Sequence, residues 1–107
     1  MDKKVIRAIV RETIEELKRS GLLKSLDEIA YSEMSAMLSA YYNAGENDSV
    51  IREAIKKTEA DPYYKIIPLY FDYKYTIEQI AEVFDVEIST ITRNKKRLCI
   101  QIYNSMQ

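Results

Sequence analysis

Apolar residues recur at spacings of three and four along most of the chain, and this period predicts α-helices. The first such segment runs from Asp2 to about Leu23, and Gly21 marks its end. Its largely apolar stripe consists of Ile6, Ile9, Val10, Thr13, Ile14 and Leu17. Basic and acidic side chains share the remaining surface. Two interpretations stay open: a helix that caps the domain, and a basic arm or oligomerisation helix.

A second helix is predicted to begin at a capping box formed by Ser25 and Glu28 and to reach Ala44, with Gly45 closing it. Its apolar positions are rich in methionine, tyrosine and alanine: Ile29, Ala30, Met34, Ala36, Met37, Leu38, Ala40, Tyr41 and Tyr42. Such a stripe is typical of a hydrophobic core. Methionine and tyrosine also suit an adaptable surface for a protein partner, so both interpretations are kept.

The polar residues 46–49 predict a turn, which is the best candidate for a boundary between two halves of the chain. Asp48 or Asn47 is expected to cap a helix from Ser49 to Ala60, because short polar side chains accept hydrogen bonds from the first free N–H groups of a helix.

A further helix is predicted to begin at Asp61 and Pro62, a cap followed by proline at the first helical position. A kink or break is expected at Pro68, because proline lacks the N–H that a helix interior requires. Tyrosines are frequent around this helix: Tyr63, Tyr64, Tyr70, Tyr73 and Tyr75. Their helical spacing fits a hydrophobic core. The alternative is a platform on which unpaired bases stack.

The last third of the chain has the pattern of a helix-turn-helix motif. Thr76 and Gln79 are spaced for a capping box. The helix that follows carries an apolar face of Ile77, Ile80, Ala81 and Phe84. Ala81 is small enough for two helices to cross closely. A corner of three residues follows, and Asp85 suits it because aspartate tolerates left-handed backbone conformations better than most residues.

The second helix of this motif is predicted to start near Ser89. Its apolar side carries Ile91, Leu98 and Ile102, with the stem of Lys95 between them, and no acidic residue occurs from Ile88 onward. The remaining side combines hydroxyl groups with cations, as in a recognition helix that reads the major groove and contacts phosphates. The candidate DNA-binding residues are Ser89, Thr90, Thr92, Arg93, Lys95, Lys96 and Arg97.

Individual roles follow from side-chain chemistry. Arg93 is the expected base reader, because a guanidinium matches the two major-groove acceptors of guanine. Lys96 and Arg97 are expected to hold phosphates, with the Lys95 ammonium reaching out from the apolar side. Further along the same helix, Ile100 and Tyr103 are expected to meet either the N-terminal helices or a second subunit.

The stretch from Tyr64 to Leu98 resembles the fourth region of bacterial sigma factors, and more closely the small phage activators of the ArpU/RinA kind. The matching segments are Leu69-Tyr70-Phe71, Thr76-Ile77-Glu78-Gln79-Ile80-Ala81-Glu82 and Ser89-Thr90-Ile91-Thr92-Arg93-Asn94-Lys95-Lys96-Arg97-Leu98. They cover about a third of the chain, and Pro68 departs from the pattern. The resemblance implies sequence-specific binding to double-stranded DNA and control of phage or prophage transcription.

Composition narrows the function classes. The 16 basic and 17 acidic residues give a net charge of −1, which argues against a general nucleic-acid coat because non-specific affinity depends on neutralising phosphates. With no histidine and the single Cys99, zinc clusters and histidine-based catalytic triads are excluded. Neither a metal, a cofactor nor an enzymatic activity is predicted. A lone cysteine suits a reducing cytoplasm, and neither a membrane span nor a signal peptide is expected.

These observations predict an all-α fold, a small helical bundle with a C-terminal helix-turn-helix. Residues 1–47 form an N-terminal helical segment for packing or oligomerisation, and residues 48–107 form a sigma-like DNA-binding domain. The expected function is sequence-specific regulation of transcription. One such motif reads only a few base pairs, so a homodimer or a second DNA-binding partner is expected. The alternative is a non-enzymatic adaptor that binds RNA polymerase or a phage protein.

Overall fold

A computed structural model describes residues 23–45 and 47–106, with side chains from residue 26 onward. This part of the chain contains five α-helices and no strand: α1 Leu23–Asn43, α2 Ser49–Lys56, α3 Ile66–Phe71, α4 Ile77–Phe84 and α5 Ile88–Ser105. The predicted all-α bundle is therefore confirmed. None of these helices is both long enough and apolar enough to cross a bilayer. The helix predicted to begin at Asp2 lies outside the described residues.

The bundle is built around α5, since each of the other four helices packs against it. Its predicted apolar side is confirmed, because Ile91, Leu98 and Ile102 are fully buried. Helix α1 contributes Met34 and Leu38 to the same core. Both proposed halves of the chain thus share one core, although the division into residues 1–47 and 48–107 itself stays a prediction.

The apolar stripe of α1 faces this core. Met34 and Tyr41 are buried, while Met37 and Tyr42 are half-buried and packed against it. The core interpretation of the stripe is confirmed, and it leaves no continuous methionine and tyrosine surface for a partner. The exposed positions in the described part of α1 are acidic, polar or alanine, apart from the isolated Leu26 and Ile29.

The two ends of α1 compare differently with the sequence pattern. The helix already includes Leu23, so Ser25 lies inside it and the predicted capping box there is wrong. At the other end, Gly45 adopts a positive φ of 88°, which is a conformation that glycine reaches at little cost. The prediction that Gly45 closes the helix is therefore confirmed.

Helix α2 begins as predicted but ends early. The carboxylate of Asp48 accepts hydrogen bonds from the backbone N–H groups of Val50 at 2.9 Å and Ile51 at 3.1 Å, as an N-cap should. The predicted continuation to Ala60 is wrong, because the helix stops at Lys56. There the buried Thr58 turns inward, and its hydroxyl donates to the carbonyl of Ile55 at 2.6 Å.

Helix α3 is shorter than its sequence pattern. The carboxylate of Asp61 accepts a hydrogen bond from the N–H of Tyr63 at 2.9 Å, yet residues 62–65 form turns and the helix begins at Ile66. Pro68 is the third residue of α3, where a helix has no internal partner for an N–H. The kink or break predicted at Pro68 is wrong in its place: the irregular backbone lies at residues 62–65, and the proline lies in the first turn of the helix that follows.

Candidate nucleic-acid interface

The start of α4 is set by two reciprocal hydrogen bonds. The hydroxyl of Thr76 accepts from the backbone N–H of Gln79 at 3.1 Å, and the Gln79 side chain accepts from the backbone N–H of Thr76 at 2.9 Å. The predicted capping box is confirmed. It satisfies two donors that the first turn of a helix would otherwise leave without partners.

The corner between α4 and α5 consists of three residues, Asp85 to Glu87. Asp85 has φ 55° and ψ 50°, so the predicted left-handed aspartate is confirmed. The N–H of Val86 donates to the carbonyl of Ala81 at 3.1 Å, which is the hydrogen bond of a Schellman turn. Ala81 is buried beneath this corner, and its small side chain lets α4 and α5 cross closely.

The outer face of α5, defined here by the exposed residues Ser89, Thr92 and Arg93, points away from the core. The hydroxyl of Thr92 donates to the carbonyl of Ile88 at 3.1 Å. Arg93 makes neither a hydrogen bond nor an ion pair with any residue that the structure describes. No described residue therefore occupies the five N–H donors of its guanidinium. Thr90 lies at the edge of this face and is half-buried.

Lys95 is separated from the other candidate residues. Only 8% of it is exposed, and its ammonium donates to the Tyr31 hydroxyl of α1 at 2.8 Å. The same nitrogen lies 3.9 Å from the ring centroid of Tyr70 and 5.7 Å from that of Phe71. The expected reach of this ammonium toward phosphates is therefore corrected: it points into a cage of aromatic rings from α1 and α3.

Arg97 is held by a carboxylate from outside α5. Its Nη1 and Nη2 donate to the two oxygens of Asp61 at 2.8 and 3.1 Å, which is the paired geometry that guanidinium groups favour. Hydrogen bonds from Arg97 lower the pKa of the Asp61 carboxyl. Asn94 also accepts from Arg97, at 3.1 Å from Nε. Sequence reasoning missed this pair because its members are 36 positions apart.

Lys96 is engaged in the same way, since its ammonium forms an ion pair with Glu28 of α1. The side chains of Lys96 and Arg97 are 38% and 45% exposed. Both cations predicted to contact phosphates are thus paired with carboxylates of the bundle.

Helix α4 and the corner carry four acidic residues, all of which precede Ile88 in the sequence. Glu78, Glu82, Asp85 and Glu87 are all exposed. They border an open groove of about 740 Å³ between α4 and the start of α5, lined by Glu78, Ala81, Glu82, Asp85, Val86, Glu87, Ile88 and Ser89. The groove adjoins the outer face through Ser89.

Other predicted residues are explained by packing. The Tyr103 hydroxyl donates to Glu33 of α1 at 2.9 Å. This is a contact with an N-terminal helix, one of the two alternatives expected for Tyr103. Cys99 is buried, and burial raises the pKa of its thiol to about 11. Tyr63 and Tyr70 pack against the core, whereas Tyr73 and Tyr75 are exposed. Within the described ranges, no cluster of acidic or thiol side chains is arranged to hold a metal ion.

No family model matches this sequence, and no curated protein or solved structure matches it. The resemblance to sigma region 4 and to the ArpU/RinA activators therefore stays a prediction. The geometry of α4 and α5 is what supports a function for this protein.

Proposed function

We propose that this protein is a sequence-specific, DNA-binding regulator of transcription that inserts the outer face of α5 into the major groove. One observation carries the proposal: Arg93 is exposed and without a partner among the described residues, on the second helix of a helix-turn-helix. Hydroxyl groups lie beside it, and no acidic residue occurs on α5. The resemblance to phage activators adds phage or prophage genes as the proposed target.

The proposed contacts divide by chemistry. Arg93 reads a base, preferably guanine, and Ser89, Thr90 and Thr92 contact bases or the adjacent backbone. Lys96 and Arg97 hold phosphates after exchanging their carboxylate partners. Lys95 is left out of this set, because its ammonium is buried among aromatic rings. Its contribution is to packing α5 against α1 and α3.

The electrostatic balance favours specific over general binding. Four exposed carboxylates border the start of α5, and the chain has a net charge of −1. Both features repel phosphates and weaken sequence-independent affinity, which arises from counterion release. A single recognition helix reads few base pairs, so a homodimer, or RNA polymerase bound at the same promoter, is proposed to supply the remaining affinity.

The test is selection from a randomised duplex pool by the full chain at two salt concentrations. We expect one enriched motif and a modest salt dependence, and any symmetry in the motif would indicate a dimer. Arg93→Ala should then cost about 1–3 kcal/mol on the selected duplex and relax the preference at one base pair. Lys96→Ala should weaken all duplexes alike. Lys57→Ala, which removes an exposed cation outside α5, is the matched control.

Two results would overturn the proposal. One is the absence of any enriched motif, with binding lost at physiological salt. The other is an equal loss on selected and random duplexes for Arg93→Ala, because a base-reading residue must affect them differently.

A further inference from the structure

The groove between α4 and α5 has apolar residues in its floor and on its rim. Ala81 and Val86 line it, and Ile88 stands at its α5 side with 49% of its surface exposed. Scattered single apolar residues are normal on a protein surface. Apolar residues grouped in a concave strip with a polar rim are typical of interaction sites.

The rim of this groove is uniformly negative. Glu78, Glu82, Asp85 and Glu87 surround it, and none of the four forms an ion pair with a described residue. By contrast, Asp61 and Glu28 elsewhere in the bundle are each paired with a cation of α5. Four unpaired like charges around an apolar strip repel one another, and a bound cation would relieve that repulsion.

This combination decides the kind of ligand. A nucleic acid would bring phosphates against four carboxylates, so the groove is unsuited to DNA. A metal ion would use the carboxylates but leave the apolar strip uncovered. A peptide segment that carries both apolar and basic side chains complements both features, because its apolar side chains can enter the groove while its cations reach the rim.

We propose that this groove docks a basic amphipathic segment of a partner protein. Apolar side chains of that segment pack against Ala81, Val86 and Ile88, and its lysines or arginines pair with the surrounding carboxylates. The site shares Ser89 with the DNA contacts proposed above, whereas Arg93 lies outside it.

The test uses the full chain, labelled with ¹⁵N, and a synthetic helical peptide of about 14 residues as the probe. The peptide has leucines at helical spacing on one side and lysines and arginines on the other. Two control peptides isolate each feature: one replaces every leucine by serine, and the other replaces every basic residue by glutamate. Amide shifts are recorded at physiological salt.

We expect shifts confined to α4, the corner and the first turn of α5, and no comparable shifts with either control peptide. Ile88→Ser and Glu82→Gln should each weaken the probe about fivefold, in proportion to the loss of one apolar or one charged contact. Matched controls are Val50→Ser, at a comparably exposed apolar residue of α2, and Glu59→Gln, at an exposed acid outside the groove. These should leave the affinity unchanged.

The proposal is overturned if the serine peptide binds as well as the probe, since charge alone would then explain binding. It is equally overturned if the shifts lie elsewhere or if no shift occurs. Duplex selection with the wild-type chain, run in parallel, keeps the two proposals separable. An enriched duplex motif without any peptide shifts in the groove would refute only the docking groove, and peptide binding in the groove without an enriched motif would refute only the DNA-binding function.

Discussion

Lys95 shows how one residue can serve packing while resembling a nucleic-acid contact. Its position on the apolar side of α5 is fixed by helical period, and its four methylene groups suit that side. The ammonium would be costly to bury alone. Two contacts offset that cost. The ammonium donates a hydrogen bond to the Tyr31 hydroxyl, and it lies 3.9 Å from the ring centroid of Tyr70 in a cation–π interaction.

We expect Lys95→Met to change the free energy of unfolding by no more than about 1–2 kcal/mol, because methionine fills a similar volume and the lost cation–π interaction is of that size. Lys95→Glu should cost about 3 kcal/mol or more, since it places a carboxylate against aromatic rings with no cation to pair with it. Urea unfolding measures both changes. Unaltered DNA affinity in Lys95→Met would show that Lys95 does not contact phosphates. A drop in DNA affinity as large as that of Lys96→Ala would contradict the exclusion of Lys95 from the DNA contacts.

Cys99 makes stability depend on pH at the alkaline end. Burial raises the pKa of its thiol from 9.0 to about 11, so the folded state keeps the proton where the unfolded state has lost it. Stability from this group is present in full below pH 9 and is lost as the pH rises from 9 to 11. Between about pH 8 and pH 10, the wild-type chain should lose about 1 kcal/mol more than Cys99→Ala. Parallel unfolding curves for the two proteins would rule this out.

At the scale of the element, the ends of α4 depend on local hydrogen bonds. Thr76→Ala should destabilise the protein by about 1 kcal/mol, because the backbone N–H of Gln79 loses its partner at an exposed helix end. Thr76→Ser keeps the hydroxyl and should retain most of the stability. Thermal or urea unfolding compares the two variants, and equal losses would show that the methyl group of Thr76, and not its hydroxyl, is what matters.

The helix ends that sequence reasoning placed correctly share a physical cause. The capping bonds at Thr76 and Asp48 and the left-handed backbone at Asp85 involve only residues within about five positions. Sequence spacing is therefore enough to predict them. The misplaced ends are not explained by such local bonds. Helix α2 stops shortly before the buried Thr58, and Asp61 makes its predicted cap bond yet α3 begins later, at Ile66.

At the scale of the whole molecule, two acids from distant segments hold the cations of α5. Asp61 lies between α2 and α3 and pairs with Arg97, while Glu28 of α1 pairs with Lys96. If phosphates take these cations, the carboxylates compete with DNA and lower its affinity. The bundle thereby couples the electrostatics of α5 to how α1 and the α2–α3 connection are packed.

Asp61→Asn should therefore tighten sequence-independent duplex binding and steepen its salt dependence by up to about one charge. The amide oxygen can still accept from the N–H of Tyr63, so the free energy of unfolding should fall by less than about 1 kcal/mol. Asp72→Asn, at an exposed acid directly after α3 that pairs with no described cation, is the control for the change in net charge. Equal gains in the two variants would mean that net charge, and not release of Arg97, is responsible.

The sequence by itself determined the helical class, the capping box and left-handed corner of the helix-turn-helix, and the apolar side of α5, because each depends on neighbours a few positions away. Only the tertiary structure decided which cations of α5 are free. Lys95, Lys96 and Arg97 meet partners 64, 68 and 36 positions distant, and no local pattern encodes such contacts. Arg93 alone among these four cations keeps its donors available within the described part of the chain, because the bundle packs no acid against the side of α5 on which it lies.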